Sequence, residues 1–416
     1  MKATVLFKEF FNSEKVGGMM LIGCTAISLI IANTSWGSGY TNFWETSVAG
    51  HSIGHWINDG LMAIFFLLIG LELEREIYKG ELSDIKDAML PIFAAIGGML
   101  VPAGLFLMLN HGTLGQDGAG IPMATDIAFA LGVLSLLGRR IPTSLKVFLT
   151  ALAVIDDLGA ILVIAFFYAK TLVWANLLTS LGIFAGLIVL NRLKVKNLIP
   201  YIVGGVGMWY FMLHSGVHAT ITGVLLAFAI PFGSGGKESP SYVLQHILHK
   251  PVAFLVLPVF ALANTAIVLE SNIVETLSQS YSLGIALGLI VGKPLGIFVL
   301  TLAVVKLGWS KLPGDLTWKS IFGVGLLGGI GFTMSIFITL LAFEDAAIVN
   351  NAKLAILLSS LGAGVLGYVA LSRMFRTVQP EEDTEAISSS LERSSYAMPE
   401  KTKDSRILKK EVYSER

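Results

Sequence analysis

Charge is scarce in this 416-residue chain: Asp, Glu, Lys and Arg together make up only 14%, against 54% hydrophobic residues. The 29 acidic and 29 basic residues cancel, so nothing in the balance points to nucleic acid or another strongly charged partner. A single cysteine, Cys24, excludes an intrachain disulfide and leaves the redox compartment undecided. The sequence shows no soluble catalytic domain, no phosphate-cradling glycine loop and no His/Cys metal cluster. ATP hydrolysis, enzymatic chemistry and a resident cofactor are therefore not expected. Residues 1–15 mix both charges, and the apolar run behind them has full spanning length without a nearby small-residue cleavage site. No cleavable signal is expected there.

What the chain does have is apolar length. Its mean hydropathy is +0.74 and it carries 44 glycines, as befits helices that approach closely in lipid. The expected fold is an all-α membrane protein of about twelve spans. They lie near 16–35, 54–78, 88–109, 120–137, 144–169, 172–190, 198–213, 216–231, 244–267, 281–304, 319–342 and 351–372. Basic residues sit before the first span (Lys2, Lys8, Lys15) and after the second (Lys79, Lys86), fourth (Arg139, Arg140), sixth (Arg192, Lys194, Lys196), eighth (Lys237) and tenth (Lys306, Lys311). The alternate loops hold almost none, Lys170 and Lys353 being the exceptions. The positive-inside rule then places both termini in the cytoplasm. The domain division follows composition: a membrane domain over 1–375 and, over 376–416, a polar cytoplasmic tail expected to be disordered.

Four charges interrupt the apolar runs. Asp156 and Asp157 are adjacent in VFLTALAVIDDLGAILVIAFFYA, Asp126 lies in GAGIPMATDIAFALGVLSLLG, and Lys293 lies in ALGLIVGKPLGIFVL. Each carboxylate at mid-membrane costs roughly 2.5–3.5 kcal/mol on insertion scales. Such a pair points to a site for positively charged cargo, the bland alternative being an ion pair that locks helices together. Three negatives against one positive leave a shared cavity short by two positive charges, which protons or a small cation would supply. Neighbouring helical residues point about 100° apart, so one aspartate can meet Lys293 while the other faces an ion path. Spans 4 and 11 are also broken, the first at Pro122 and Asp126, the second at Gly328, Gly329 and Gly331 before Thr333. They are the middle members of triplets 3–5 and 10–12. The odd offset of seven spans inverts the second triplet, an inverted-topology repeat with an interrupted helix in each half, which is the layout of a secondary transporter. Asp126 would offset the positive ends of half-helices, and Lys293 the negative ends.

These segments, ATDIAFALGVLSLLG, AVIDDLGAILVIAFFY, SGVHATITGVLLA, GKPLGIF and GGIGFTMSIFI, closely resemble those of NhaA-type sodium/proton antiporters, in order, from about residue 10 to 375. That family is a standard example of inverted-repeat transporters, so the repeat and the resemblance are not independent signals. The resemblance implies a multi-pass protein of the bacterial inner membrane that exchanges cytoplasmic Na+ or Li+ for external protons, two protons entering per cation leaving, for sodium and pH homeostasis. It implies Asp157 as the main cation carboxylate, Asp156 as the second proton-linked carboxylate, and Lys293 as its ion-pair partner and candidate proton carrier. Thr125, Asp126, Gly331 and Thr333 would lie at the crossing of the broken helices, with transient Na+ held by Asp157, Asp156 and Thr125.

The implied chemistry is competition: one ionised carboxylate can take a proton or ligate a hard cation, helped by hydroxyl and carbonyl oxygens. Further features carry over as pH-response candidates: Glu72, Arg75 and Glu76 in LIGLELEREIYKG, His218 in GVHAT, and His246 in LQHILHK. Gln245 stands where the family usually has glutamate, a departure that bears on the pH profile. Residues 40–53 (YTNFWETSVAGHSI) match the exposed hairpin through which relatives form homodimers. Partners are therefore the transported ions, the bilayer and a second copy, with no nucleic acid and no ATP. Two other classes stay open at this point: a sodium-coupled solute symporter, which needs a roomier polar cavity, and a cation channel, which needs a ring of carboxylates in continuous water.

Overall fold

A computed structural model describes residues 2–376 apart from 170 and 270–272. The chain is mostly helical, 77%. Lys170 and the tail beyond residue 376, expected to be disordered, lie outside the described residues. In chain order the main elements are α1 (Lys2–Ala32), α2 (Gly37–Glu45), strands β1 (Ser47–Val48) and β2 (His51–Ser52), α3 (Ile53–Lys79), α4 (Ile85–Asn110), a 3-10 segment Gln116–Met123 followed by α5 (Ile127–Leu136), and α6 (Thr143–Phe167). Then come α7 (Trp174–Arg192), α8 (Ile199–Leu213), α9 (Ile221–Ala229), α10 (Pro240–Asn264), α11 (Ser280–Lys306), α12 (Trp318–Gly328), α13 (Phe332–Ala342) and α14 (Ala346–Met374).

Among the described residues, eight helices are long and apolar enough to cross a bilayer, or ten if each of two sharply bent pairs is one span. One bent pair is α1 with α2, at 114°. The chain turns there because Asn33 ends α1: its Nδ2 donates to Leu29 O and to Ile267 O, both at 2.8 Å. The helix therefore stops short of residue 35. The other pair is α12 with α13, bent by 47° across Gly329–Gly331. At the far end, Asp345 caps α14 by accepting from Ala347 N at 2.8 Å, so that helix starts five residues before the expected span. Lys353 accordingly lies inside α14 and is buried, not in a loop.

The eighth expected span differs most. In place of a continuous run over 216–231, α9 has nine residues. At 1.5 Å per residue that is about 14 Å, less than half of a hydrocarbon core of about 30 Å. A turn over 214–220 precedes it. Two helices carry π-helical stretches, Val252–Val256 in α10 and Gly288–Gly292 in α11. Each ends two residues before a proline, Pro258 or Pro294, whose missing N–H already disturbs the α-helical bonding there. The hairpin at 47–52 is antiparallel, with Ser47 opposite Ser52 and Val48 opposite His51. Its turn residues Ala49 and Gly50 both have positive φ, 51° and 92°, the backbone a tight two-residue hairpin demands.

Burial orders these helices. The broken segment Gln116–Leu136 is 78% buried within the protein, whereas α7 is 11% buried. The interrupted helices are at the centre, and α7 presents its apolar side chains outward. Helices α4 and α11 meet at Gly97 and Gly296, where a Cβ on either would collide with the other's carbonyl oxygen. Without side chains to fill a gap, the two backbones touch. Gly296→Leu should therefore lower the melting temperature in detergent or prevent recovery of folded protein, since overpacking typically costs about 1–3 kcal/mol or more. Gly23→Leu, where an added Cβ meets nothing within 4 Å, should melt like the parent. Equal melting of all three proteins would refute the contact.

Candidate functional site

The site is built where α6 passes the two helix breaks. Asp156 and Asp157 lie near the middle of α6 and both are fully buried. Their roughly 100° separation gives them different neighbours. Asp156 Oδ2 sits 2.8 Å from Lys293 Nζ, itself fully buried at the start of the last regular stretch of α11. Thr125 Oγ1 lies 2.7 Å from the same Asp156 oxygen and 2.9 Å from Gly328 O. A hydroxyl has one proton, so Thr125 donates to only one of these acceptors at a time. Lys293 Nζ also donates to Met123 O, the end of the 3-10 segment.

Asp126 joins the two breaks. Its backbone N donates to Ile330 O at 2.7 Å, and its carboxylate caps two half-helices. Phe129 N, in the first turn of α5, donates to Oδ1 at 2.9 Å. Thr333 N, in the first turn of α13, donates to Oδ2 at 3.0 Å, and Thr333 Oγ1 donates to that oxygen at 2.5 Å. A helix N-terminus is worth about half a positive charge, so two of them offset one carboxylate. Gly331 is the residue before α13 and carries that helix into the crossing. Two more bonds secure the breaks: Ser335 Oγ donates to Ile121 O at 2.7 Å, and Phe332 N donates to Ser360 Oγ at 3.1 Å.

Asp157 is left over. Neither of its buried oxygens accepts a hydrogen bond from a described residue, and the same is true of Asp156 Oδ1. Asp156, Asp126, Glu72 and Lys293 all act on it electrostatically. With Asp126 offset by helix ends and Asp156 by Lys293, the shortfall of two positive charges counted from sequence reduces to one, at Asp157. Among the described residues no group of three or more His, Cys, Asp or Glu is arranged to hold a resident metal ion. The carboxylate pair and the Thr125 hydroxyl nevertheless gather several buried oxygens at this point.

The remaining sequence candidates divide. At the Lys79 end of α3, Arg75 Nη1 reaches Gln245 Oε1 at 3.4 Å and lies over the Tyr242 ring, 5.3 Å from its centroid. Glu72 lies 4.0 Å from His249 Nδ1. Glu76 accepts from Glu81 N at 3.1 Å. His246, on the same helix as Gln245, is exposed and stacks beside Tyr242 at 6.3 Å. His218 does not join this group. It lies in the turn before α9, within electrostatic reach of Asp59 near the start of α3. Sequence reasoning passed over Glu74, buried and accepting from Ser241 Oγ at 2.8 Å, and His249. The signal for His249 was available, since it falls one helical turn after His246 in LQHILHK. It also missed Tyr168, whose hydroxyl donates to Asp117 O at 2.7 Å and accepts from Gly120 N at 3.3 Å.

Comparison with known proteins agrees over nearly the whole length. Residues 8–371 match the family described as Na+/H+ antiporter 1. A protein of Flavobacterium psychrophilum named Na(+)/H(+) antiporter NhaA is 71% identical over 376 residues, 90% of this chain and 98% of its own. Proteins of the same name from Dechloromonas aromatica and Cytophaga hutchinsonii are 59% and 58% identical, over 89% and 93% of this chain and 96% and 100% of their own. Bacterial relatives and many apolar helices mark a multi-pass bacterial membrane protein. Matched over residues 8–371, the chain belongs to the Na+/H+ antiporter 1 family.

Proposed function

We propose that this protein exchanges cytoplasmic Na+ or Li+ for external H+, two protons entering for each cation leaving, in sodium and pH homeostasis. The observation that carries the reading is Asp157: a buried carboxylate with two free acceptor oxygens beside an Asp156 that Lys293 and Thr125 already engage. A buried ionised carboxylate without a partner is costly. A proton or a small cation removes that cost, and each excludes the other. Sodium prefers oxygen ligands, which Asp157, Asp156 and Thr125 can offer. Exchange follows when the loaded site opens alternately to the two faces, and no covalent bond changes.

The same reading sets the frame. Twelve spans, with 3–5 and 10–12 as inverted repeats, would put both breaks at one depth, with both termini cytoplasmic and the protein in the inner membrane. Transient binding needs only the residues at the crossing. A second copy joins through 40–53, where the hairpin leaves Ser47 and Val48 exposed. Glu72, Arg75, Glu76, His218 and His246 are assigned to the pH response, four of them clustered between α3 and α10. Either Asp156 or Lys293 carries the second proton, because an ion pair this close titrates as a unit.

Three outcomes are expected. In proteoliposomes Asp157→Asn should insert normally yet lose sodium-driven proton movement, because an amide cannot ionise; robust exchange by that variant would defeat the assignment. Lys293→Ala should melt at lower temperature in detergent than the parent. Removing one partner of a buried pair typically costs about 3–5 kcal/mol because the other charge is left uncompensated, and an unchanged melting temperature would mean that the lysine points to water. Finally, two protons in for one cation out moves one net positive charge inward per cycle. Exchange should therefore quicken when valinomycin and potassium collapse the opposing potential, and a rate indifferent to potential would mean one-for-one exchange.

A further inference from the structure

The 3-10 segment Gln116–Met123 ends next to the site, with Lys293 on Met123 O and Thr125 two residues on. Such a segment has poorer internal hydrogen bonds than an α-helix, so its position depends on what holds it from outside. Tyr168 holds it at the far end. The residue directly follows α6, and its hydroxyl both donates to Asp117 O and accepts from Gly120 N. Gly120 leaves room for this contact, since a Cβ there would stand 2.8 Å from the Tyr168 oxygen. The connections close a ring. From Asp156, α6 runs twelve residues, about 18 Å, to Tyr168. The phenol grips the segment, and the segment returns through Met123 and Thr125 to Asp156.

We propose that Tyr168 is a positioning residue of the cation site, clamping the 3-10 segment so that Thr125 is held against Asp156. This rests on the assignment of Asp156, Asp157 and Thr125 to cation binding. The residue touches neither carboxylate, and its effect is on the geometry offered to the cation. A phenol ordinarily loses its proton only at about pH 10, so the hydroxyl keeps its proton over the working range, and the clamp does not switch with pH.

The test compares the full chain with Tyr168→Phe, Gly120→Ala and the double variant in proteoliposomes. Tyr168→Phe removes both hydrogen bonds of the hydroxyl and should raise the apparent KM for Na+ about fivefold, since the segment keeps its other contacts and only part of their worth reaches the site. Its maximal rate should stay within about twofold, and the shape of its pH profile should not change. Gly120→Ala displaces the same hydroxyl and should raise KM similarly. The double variant should match either single one, because both remove one interaction. An unchanged KM in Tyr168→Phe, a lower melting temperature with no change in KM, or multiplied effects in the double variant would each overturn the clamp. A parent protein that moves no sodium would defeat the exchange reading instead. Amide hydrogen exchange of residues 116–125 then still decides: Tyr168→Phe should speed it, and equal protection in both proteins overturns the proposal.

Discussion

In a bilayer no backbone N–H or C=O can be left to water, and every other feature of this centre follows from that constraint. A helix that stops at mid-depth exposes unpaired groups at each cut end. Here two helices stop opposite one another and each supplies what the other lacks. The backbone of Asp126 donates to Ile330 O, Thr333 N and Oγ1 donate to the Asp126 carboxylate, and Ser335 Oγ donates to Ile121 O. Neither break is satisfied alone. The two therefore form a single polar joint, which explains why it is among the most buried parts of the molecule.

The joint also fixes the local charge. Two half-helix N-termini face Asp126, while Met123 O and Gly328 O, at C-terminal ends, receive Lys293 and lie within reach of Thr125. Lys293 and Asp156 at 2.8 Å attract by on the order of 6 kcal/mol at an effective dielectric constant near 20. Withdrawing two ions from water costs several kcal/mol each. The pair is thus close to balanced, as the proposed proton- and cation-dependent site requires. A far stronger pair would not yield to either ligand. Asp157 stands outside both compensations and carries the open charge.

The charged part of this centre was legible in the sequence because charge in an apolar run has so few explanations. Asp126, Asp156, Asp157 and Lys293 announced themselves by cost, and the breaks by Pro122 and the glycines at 328–331. The 100° argument separates the two aspartates without ordering them, so the pairing of Lys293 with Asp156, now seen at 2.8 Å, was legible only through the family resemblance. Hydroxyl contacts were invisible for a different reason. Ser335 and Ser360 are ordinary residues in helices and Tyr168 one just past a helix end, and what matters is which backbone atom lies opposite, often far away in the chain. Hydropathy likewise cannot show depth: the run over 216–231 reads as a span, yet only nine of its residues are helical as α9.

In the proposed exchange, Thr125 ties the titrating carboxylate to the joint. Its single hydroxyl proton has two acceptors at nearly equal distance, Asp156 Oδ2 at 2.7 Å and Gly328 O at 2.9 Å. An ionised Asp156 is the stronger acceptor, because charge-assisted hydrogen bonds are roughly twice as strong as neutral ones. Once Asp156 holds a proton, that advantage is gone, and the carbonyl ending α12 becomes the better partner. The state of the carboxylate thereby decides whether the last carbonyl of α12 is bonded, at the very residue where that helix gives way to the break. In the proposed exchange, a hydroxyl in this place would make the protonation of Asp156 felt by the joint, which a valine of similar size could not do.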